Sequence, residues 1–303
     1  MKSDISKVTR ITESVGFPET VLIDNFSGCN LSCSCCDHKN IRKYRKVLRM
    51  KWGLYTKLID EIALENPEAR VWEIFFGDPF LCGDMPKRIK YAKDKGLKNI
   101  LLNTNGVLMT HDRAKAVIEA GLDEIHVGID AFKPETYDEI RIGGDYQKVV
   151  ENTLNYRDIL RNIGKSSQKL YVQLVVMDNN EDEVEDFKKF WHSRGIGVKI
   201  RPKVSWGGII DASNLSTNDE KRKPCYWLMR TINICADGLV ALCSIDGHCL
   251  VNCGDTQKTS IKEVWNGQLA EYRAMHKEHR FSELPALCRD CRDWQSAYSE
   301  TIG

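Results

Sequence analysis

Six apolar, β-rich runs alternate with amphipathic helical stretches over the first two-thirds of the chain, and no other feature limits its fold as sharply. The runs cover 21–26, 71–76, 99–103, 124–129, 170–177 and 198–204. Between them Leu54, Leu58 and Ile62 share one helical face, as do Tyr146, Val149, Val150 and Leu154, and also Val184, Phe187 and Trp191. Strands that alternate with helices predict a parallel sheet with right-handed crossovers. In the fourth run Ile125, Val127 and Ile129 alternate with His126, Gly128 and Asp130; in the sixth, Val198 and Ile200 alternate with Lys199, Arg201 and Lys203. The apolar phase packs against helices, so in a barrel the polar phase faces the lumen and predicts a cavity for a polar ligand.

The alternation stops after Val204. Trp206-Gly207-Gly208 leads into a polar stretch that ends at Pro224, the composition of a linker or loop. An α/β barrel takes ~200–250 residues, so a chain of 303 has room for a small appended domain. The expected division is an N-terminal extension at 1–17, the barrel at 18–210, a linker at 211–224 and a cysteine-rich domain at 225–303. A formal net charge of +1 supplies no bulk attraction to nucleic acid or to an anionic membrane. No apolar leader and no run of ~18 apolar residues occurs, so a cytoplasmic protein is expected. There the chain's twelve cysteines bind metal or carry redox chemistry rather than form disulfides.

Cys29, Cys33 and Cys36 stand in a C-x3-C-x2-C spacing directly after the first run. Three thiolates on one short loop hold three irons of a cubane and leave the fourth iron open to a chelating small molecule. A zinc site with a distant fourth ligand is the competing reading. Cys35 adjoins Cys36, and the spacing favours Cys36 as the third ligand.

This motif after strand one resembles the radical S-adenosylmethionine (SAM) superfamily, and the similarity extends over about 18–210. The resemblance implies a (βα)6 partial TIM barrel, a [4Fe–4S] cluster chelated by SAM at its unique iron, and a 5′-deoxyadenosyl radical formed by reductive cleavage of SAM. Phe76-Gly77-Asp78-Pro79 resembles the family's Gly-Glu-Pro stretch beside the SAM amine, which places Gly77 and Asp78 at the cofactor. Asn103 and Asn105, in Asn103-Thr104-Asn105-Gly106, resemble its ribose-proximal turn; Asp130 resembles the end of strand four, and Arg141 a frequent arginine. The chain departs from the family in carrying Cys35 where an aromatic residue is usual, and Asp78 where glutamate is commoner. The resemblance also implies a flavodoxin or ferredoxin-type electron donor.

Cys225, Cys243, Cys288 and Cys291 form a second group, with a β-hairpin expected over 232–243 at the Asp237-Gly238 turn. Four thiolates in this arrangement suit a zinc ribbon or a fully ligated [4Fe–4S] cluster. Behind a radical SAM barrel they resemble the shortened SPASM module called twitch, with 260–266 as its helix, which implies one auxiliary cluster. Cys82 and Cys235 are expected to be buried small hydrophobes, whereas Cys249 and Cys253 are expected on a loop at the barrel mouth, with Cys249 the candidate hydrogen-atom donor. Among the charged lumen groups, His126 and Lys199 are candidates for substrate binding or proton removal, Arg201 for a carboxylate and Lys203 for the substrate.

The resemblance to aminocyclitol dehydrogenase and aminoglycoside epimerase members implies a small polar, sugar-like or aminocyclitol-like substrate that is epimerised or oxidised at a C–H bond. A maturase of peptide or protein side chains and a non-enzymatic metal-binding or redox-sensing protein are the alternatives.

Overall fold

The computed structural model describes residues 13, 15–165, 168–212, 215 and 222–297. Most of the expected N-terminal extension and of the expected linker lies outside the described residues.

Six parallel strands, β1 (Thr20–Ile23), β2 (Arg70–Trp72), β3 (Asn99–Thr104), β4 (Glu124–Gly128), β5 (Lys169–Val176) and β6 (Gly197–Pro202), are separated by helices, five of them longer than eight residues. These five are α1 (Trp52–Glu65), α2 (Met85–Asp94), α3 (His111–Glu119), α4 (Tyr146–Asn162) and α5 (Val184–His192). Each neighbouring pair from β1 to β6 is hydrogen-bonded in parallel. This is the (βα)6 partial barrel. Its core joins Val21, Val71, Ile100, Ile125, Val127 and Val172 of the strands to Leu58, Ile62, Ile89 and Phe187 of the helices. Each such side chain contributes ~1.5–3 kcal/mol when fully buried.

β1 and β2 end earlier than their apolar runs because buried polar side chains replace ladder pairing there. Asn25 bonds to the Glu73 carboxylate, Tyr55 donates to it at 2.6 Å, and Arg88 donates to Asn25 at 2.9 Å.

The chain then extends the same sheet at its β1 edge. β7 (Thr231–Ile234) pairs parallel with β1, and β8 (Leu239–Ala241) and β9 (Asn252–Asp255) follow antiparallel, in the order β6-β5-β4-β3-β2-β1-β7-β8-β9. Gly238 has φ +88°, as the Asp-Gly turn of the hairpin requires. Next comes α6 (Ile261–Asn266), whose start is a capping box between Ser260 and Glu263. Glu61 of α1 accepts from the backbone N–H groups of Ile261 and Lys262 at 2.9 Å, which ties this end to the barrel. α7 (Gln268–Lys277) follows.

The charged lumen residues divide by height. Glu124, His126 and Lys199 gather at the N-terminal end of the strands, with Arg70 3.3 Å from Glu124. Trp72 and Tyr171 flank His126 at ring distances of 5.0 and 5.2 Å. Burial lowers the His126 pKa to about 4. His126 and Lys199, expected at the substrate, instead pair with each other and with Glu124 at the closed end of the barrel. Alternation predicts which face a side chain takes but not its height along the barrel axis. Among the described residues no helix is long and apolar enough to cross a membrane.

Candidate active site

The loop after β1 carries the first cysteines at the C-terminal end of the sheet. Gly77 lets two backbones meet beneath it, since a Cβ there would lie 2.1 Å from the Phe26 carbonyl oxygen and 2.6 Å from that of Gly28. Asp78 donates its N–H to Gly28 at 2.9 Å. Its carboxylate accepts from Thr104 Oγ1 and Asn105 N–H at 2.9 Å, and from Phe80 N–H at 3.0 Å. Asp78 therefore couples the loops after β2 and β3, while its backbone neighbours support the cysteine loop.

Two side chains direct N–H groups at the sulfurs. Asn105 Nδ2 lies 3.7 Å from Cys29 Sγ, and Arg141 Nη1 lies 3.7 Å from Cys33 Sγ. Arg141 is held by Asp130 at 2.6 Å, and Asp130 itself sits at φ +63° with its other oxygen accepting from Val175 N–H at 2.8 Å. A Cβ at Gly128 would come within 2.3 Å of Arg141 Nη2, so the guanidinium needs this glycine.

The Cys36 sulfur accepts from His38 N–H at 3.5 Å. Cys35 turns instead toward Asp130 Oδ2 at 3.8 Å. Burial raises Cys29 to about 11 and Cys36 to about 12. Buried thiols grouped beside N–H donors fit an iron–sulfur cluster, because ligation replaces the proton and the donors then meet thiolate sulfur. Cys29, Cys33 and Cys36 are the thiols of the C-x3-C-x2-C loop that lie in this setting.

Above the closed end, Gln173 donates to Asn103 Oδ1 at 2.9 Å and accepts from Arg201 Nη1 at 3.1 Å, forming a middle polar layer. Burial lowers the Arg201 pKa, with Asp130 opposing the shift. Lys203 follows the end of β6, half-buried, and forms no ion pair with another described residue.

Cys225, Cys243, Cys288 and Cys291 surround one small cavity together with Leu228, Leu242 and Trp294. Asp293 N–H points at Cys291 Sγ at 3.2 Å, while the Asp293 carboxylate accepts from Ser205 Oγ and Gly207 N–H at 3.0 and 2.9 Å. His276 Nε2 lies 3.2 Å from Cys288 Sγ, and its Nδ1 accepts from Cys225 N–H at 3.3 Å. Among the described residues no three Cys, His, Asp or Glu side chains converge on the position of a single ion. Thiols set around a cavity suit a cubane, in which each binds a different iron.

The segment after Cys243 differs from the expected loop. Buried Asp246 accepts from Leu250 and Val251 N–H at 2.7 and 3.1 Å, which bends the chain back so that Cys253 lies buried on β9. Cys249 remains in the turn at φ +54°, half-buried and next to Cys235. Cys82 and Cys235 are buried as expected, and Cys82 donates to Asp84 at 3.1 Å.

Four contributors, Asp37, His248, Trp206 and His276, carry no local motif in the sequence. Buried Asp37, next to Cys36, bonds to buried His248, five residues past Cys243. Trp206 Nε1 donates to the Cys35 carbonyl at 3.0 Å, and Phe76 packs between Trp206 and His248 at 5.3 and 5.0 Å. His276 is the fourth.

Comparison with known proteins agrees with this geometry. The profile of the radical SAM superfamily matches residues 26–190, and that of the SPASM iron–sulfur cluster-binding domain matches residues 225–292. The GTP 3′,8-cyclase of Alkaliphilus oremlandii is 28% identical over 285 residues, covering 86% of this chain and 81% of the cyclase. A probable GTP 3′,8-cyclase of Methanococcus maripaludis is 35% identical over 121 residues, a span of 40% of this chain and 39% of that protein. Among solved structures, BtrN in complex with AdoMet and 2-DOIA superposes with a TM-score of 0.64 at 17% identity, covering 94% of this chain and 97% of BtrN. Streptococcus suis SuiB bound to precursor peptide SuiA gives 0.71 at 11% identity, covering 96% of this chain and 74% of SuiB. These likenesses share the fold.

Proposed function

The chain belongs to the radical SAM superfamily, and from that premise we propose that it abstracts a hydrogen atom from a small polar substrate, leading to epimerisation or alcohol oxidation. It is a radical SAM enzyme that uses SAM, a [4Fe–4S] cluster and auxiliary iron–sulfur chemistry in its SPASM domain. When bound, these groups supply the 5′-deoxyadenosyl radical and one-electron exchange.

The observation that carries the proposal is the Asp37–His248 contact, which ties the loop that follows Cys36 to the loop that follows Cys243. With four cysteines of its own, the second group has a complete ligand set, which suits electron exchange with a nearby radical better than direct binding of a substrate atom. Arg201 and Lys203 share the lumen phase of the chain at the end of β6 and would hold an anionic or hydroxyl-bearing substrate. Lys203 would remove the hydroxyl proton in an oxidation. Cys249 would return a hydrogen atom in an epimerisation, because its S–H bond is weak enough to give one to a carbon radical.

Turnover in D2O separates the outcomes, since a thiol exchanges its hydrogen with solvent. Epimerisation predicts one solvent deuterium in a product of unchanged redox state, and loss of product in Cys249→Ala with SAM cleavage retained. Oxidation predicts a product two hydrogens lighter, formed equally well by Cys249→Ala. The similarity to GTP 3′,8-cyclases supports a second reading, cyclisation of a purine nucleotide. Conversion of GTP to a cyclised product in the presence of SAM and reductant would replace the small-polar-substrate reading.

A further inference from the structure

Five cysteines lie outside the two ligand groups: Cys35, Cys82, Cys235, Cys249 and Cys253. Three of them point at oxygen. Cys35 meets the Asp130 carboxylate at 3.8 Å, Cys82 donates to Asp84 at 3.1 Å, and Cys253 donates to the Val251 carbonyl at 3.7 Å. Cys235 and Cys249 instead share a side-chain hydrogen bond with each other. A thiol is a weak donor and a weak acceptor, so this contact is not what holds either residue in place.

The backbone holds them. Cys235 directly follows β7; its N–H donates to the Leu239 carbonyl at 2.8 Å and its own carbonyl accepts from Gly238 N–H at 2.8 Å, which fixes it in the hairpin. One residue earlier, the Ile234 carbonyl accepts from Asp24 N–H at 2.8 Å, and Arg45 donates to the Asp24 carboxylate at 2.9 Å. Cys249 stands in the turn made by Asp246. Its N–H donates to the Asp246 carbonyl at 2.9 Å, and the Asp246 carboxylate takes the next two N–H groups. There Cys249 has φ +54°, a region that a non-glycine residue enters at a cost. Strained residues of this kind gather where the position of a side chain matters. Here the strained residue is the one whose sulfur meets Cys235.

The two thiols differ in access. Cys235 is 1% exposed, whereas Cys249 is half-buried and adjoins Leu250, which is 48% exposed. Contact with Cys249, together with burial, raises the Cys235 pKa, and the Arg45 guanidinium opposes the rise. A small oxidant therefore reaches Cys249 first, with Cys235 behind it as the resolving thiol. A disulfide brings its sulfurs to ~2.05 Å, and thiols already in hydrogen-bonding contact approach that by side-chain rotation.

We propose that Cys235 and Cys249 form a reversible disulfide site that reacts with low-molecular-weight disulfides. The Cys249 thiolate attacks one sulfur of the small disulfide, forming a mixed disulfide and releasing one small thiolate. Cys235 then loses its proton, and its sulfur displaces the second small thiolate from Cys249. The two protein thiols give up two electrons, the small disulfide accepts them, and the two protons pass to the released thiolates. The closed form ties the hairpin after β7 to the loop that carries His248. It has no S–H bond at Cys249, so only the open form can return a hydrogen atom in an epimerisation.

The test incubates the anaerobically reconstituted enzyme with glutathione disulfide as probe, alkylates the remaining thiols and maps the peptides by mass spectrometry. The expected result is one Cys235–Cys249 link per chain, unchanged iron content, and loss of the link after dithiothreitol. Cys235→Ala should form no link and keep a glutathione on Cys249, because no second thiol displaces it. Its iron content and 5′-deoxyadenosine formation should match the wild type, which shows that the variant folds. A stable glutathione on Cys249 of the wild type would overturn the proposal, since Cys235 would then not reach it. An unmodified Cys249 would also overturn it, as would a link from either thiol to a ligand cysteine with iron lost. The link is read without substrate, so its absence leaves the reading of the substrate reaction standing.

Discussion

Gly77 is the residue on which the first cysteine loop turns. A methyl group at this position would meet two backbone carbonyl oxygens, which cannot rotate away as a flexible side chain would. Gly77→Ala should therefore destabilise the protein by at least ~2 kcal/mol and lower the iron retained after reconstitution, as read by anaerobic thermal unfolding and iron analysis. The neighbouring thiols divide by direction. Cys36 completes the C-x3-C-x2-C spacing and accepts from His38 N–H, whereas Cys35 meets the Asp130 carboxylate, so Cys36→Ala should lose the first cluster and Cys35→Ala should keep it. Loss of iron in Cys35→Ala alone would reverse the assignment. His276 offers a finer test. Its Nδ1 accepts from Cys225 N–H, so the ring proton resides on Nε2 and points at Cys288 Sγ. A donor to sulfur stabilises the more negative, reduced cluster. His276→Phe should lower the auxiliary potential by roughly 60 mV, the equivalent of ~1.4 kcal/mol, as followed by redox titration of its electron paramagnetic resonance signal.

At the scale of elements, the strands place two kinds of polar chemistry at opposite ends of one lumen. The cysteine loop, Asp130 and Arg141 stand at the C-terminal end, and Glu124 with His126 and Lys199 closes the other. Burial acts to raise the Glu124 pKa, but His126 and Lys199 outweigh it and bring the value from 4.5 to about 2. A depressed carboxylate contributes stability that is complete above its unfolded pKa and is lost as pH falls through the folded one. The gap in urea stability between wild type and Glu124→Gln should be largest near neutrality and shrink as pH falls from about 4.5 toward 2. A gap independent of pH would show that Glu124 acts through packing instead. The positions of β1 to β6 and of the hairpin at Asp237-Gly238 were legible in the sequence because alternation and turn dipeptides act over a few neighbours, whereas β9 lies where a loop was expected. The early ends of β1 and β2 were not, since they depend on Glu73 meeting Asn25 and Tyr55 from elsewhere in the chain.

Across the whole molecule, the C-terminal part is built onto the barrel rather than set beside it. β7 lengthens the sheet at β1, α6 is bound to α1 through Glu61, and the Asp37–His248 contact joins the two cysteine-bearing loops. Two complete ligand sets predict about eight irons per chain after anaerobic reconstitution, because each cubane holds four. Changing Cys29, Cys33 and Cys36 together to Ala should leave about four and abolish 5′-deoxyadenosine formation. About four irons with one zinc in the wild type would instead assign zinc to Cys225, Cys243, Cys288 and Cys291.

The sequence by itself determined the parallel sheet and the C-x3-C-x2-C loop, and it set Cys225, Cys243, Cys288 and Cys291 apart as a second cysteine group. These reside in local periodicity and in the chemistry of thiols at short spacing. Only the tertiary structure decided that His126 and Lys199 lie at the closed end, that Cys249 adjoins Cys235, and that His276 reaches Cys288. It alone brought Asp37 to His248 across 211 residues of chain. Such pairings follow from strand register and from the way loops are carried by the elements beneath them, and no short-range pattern of residues encodes that distance.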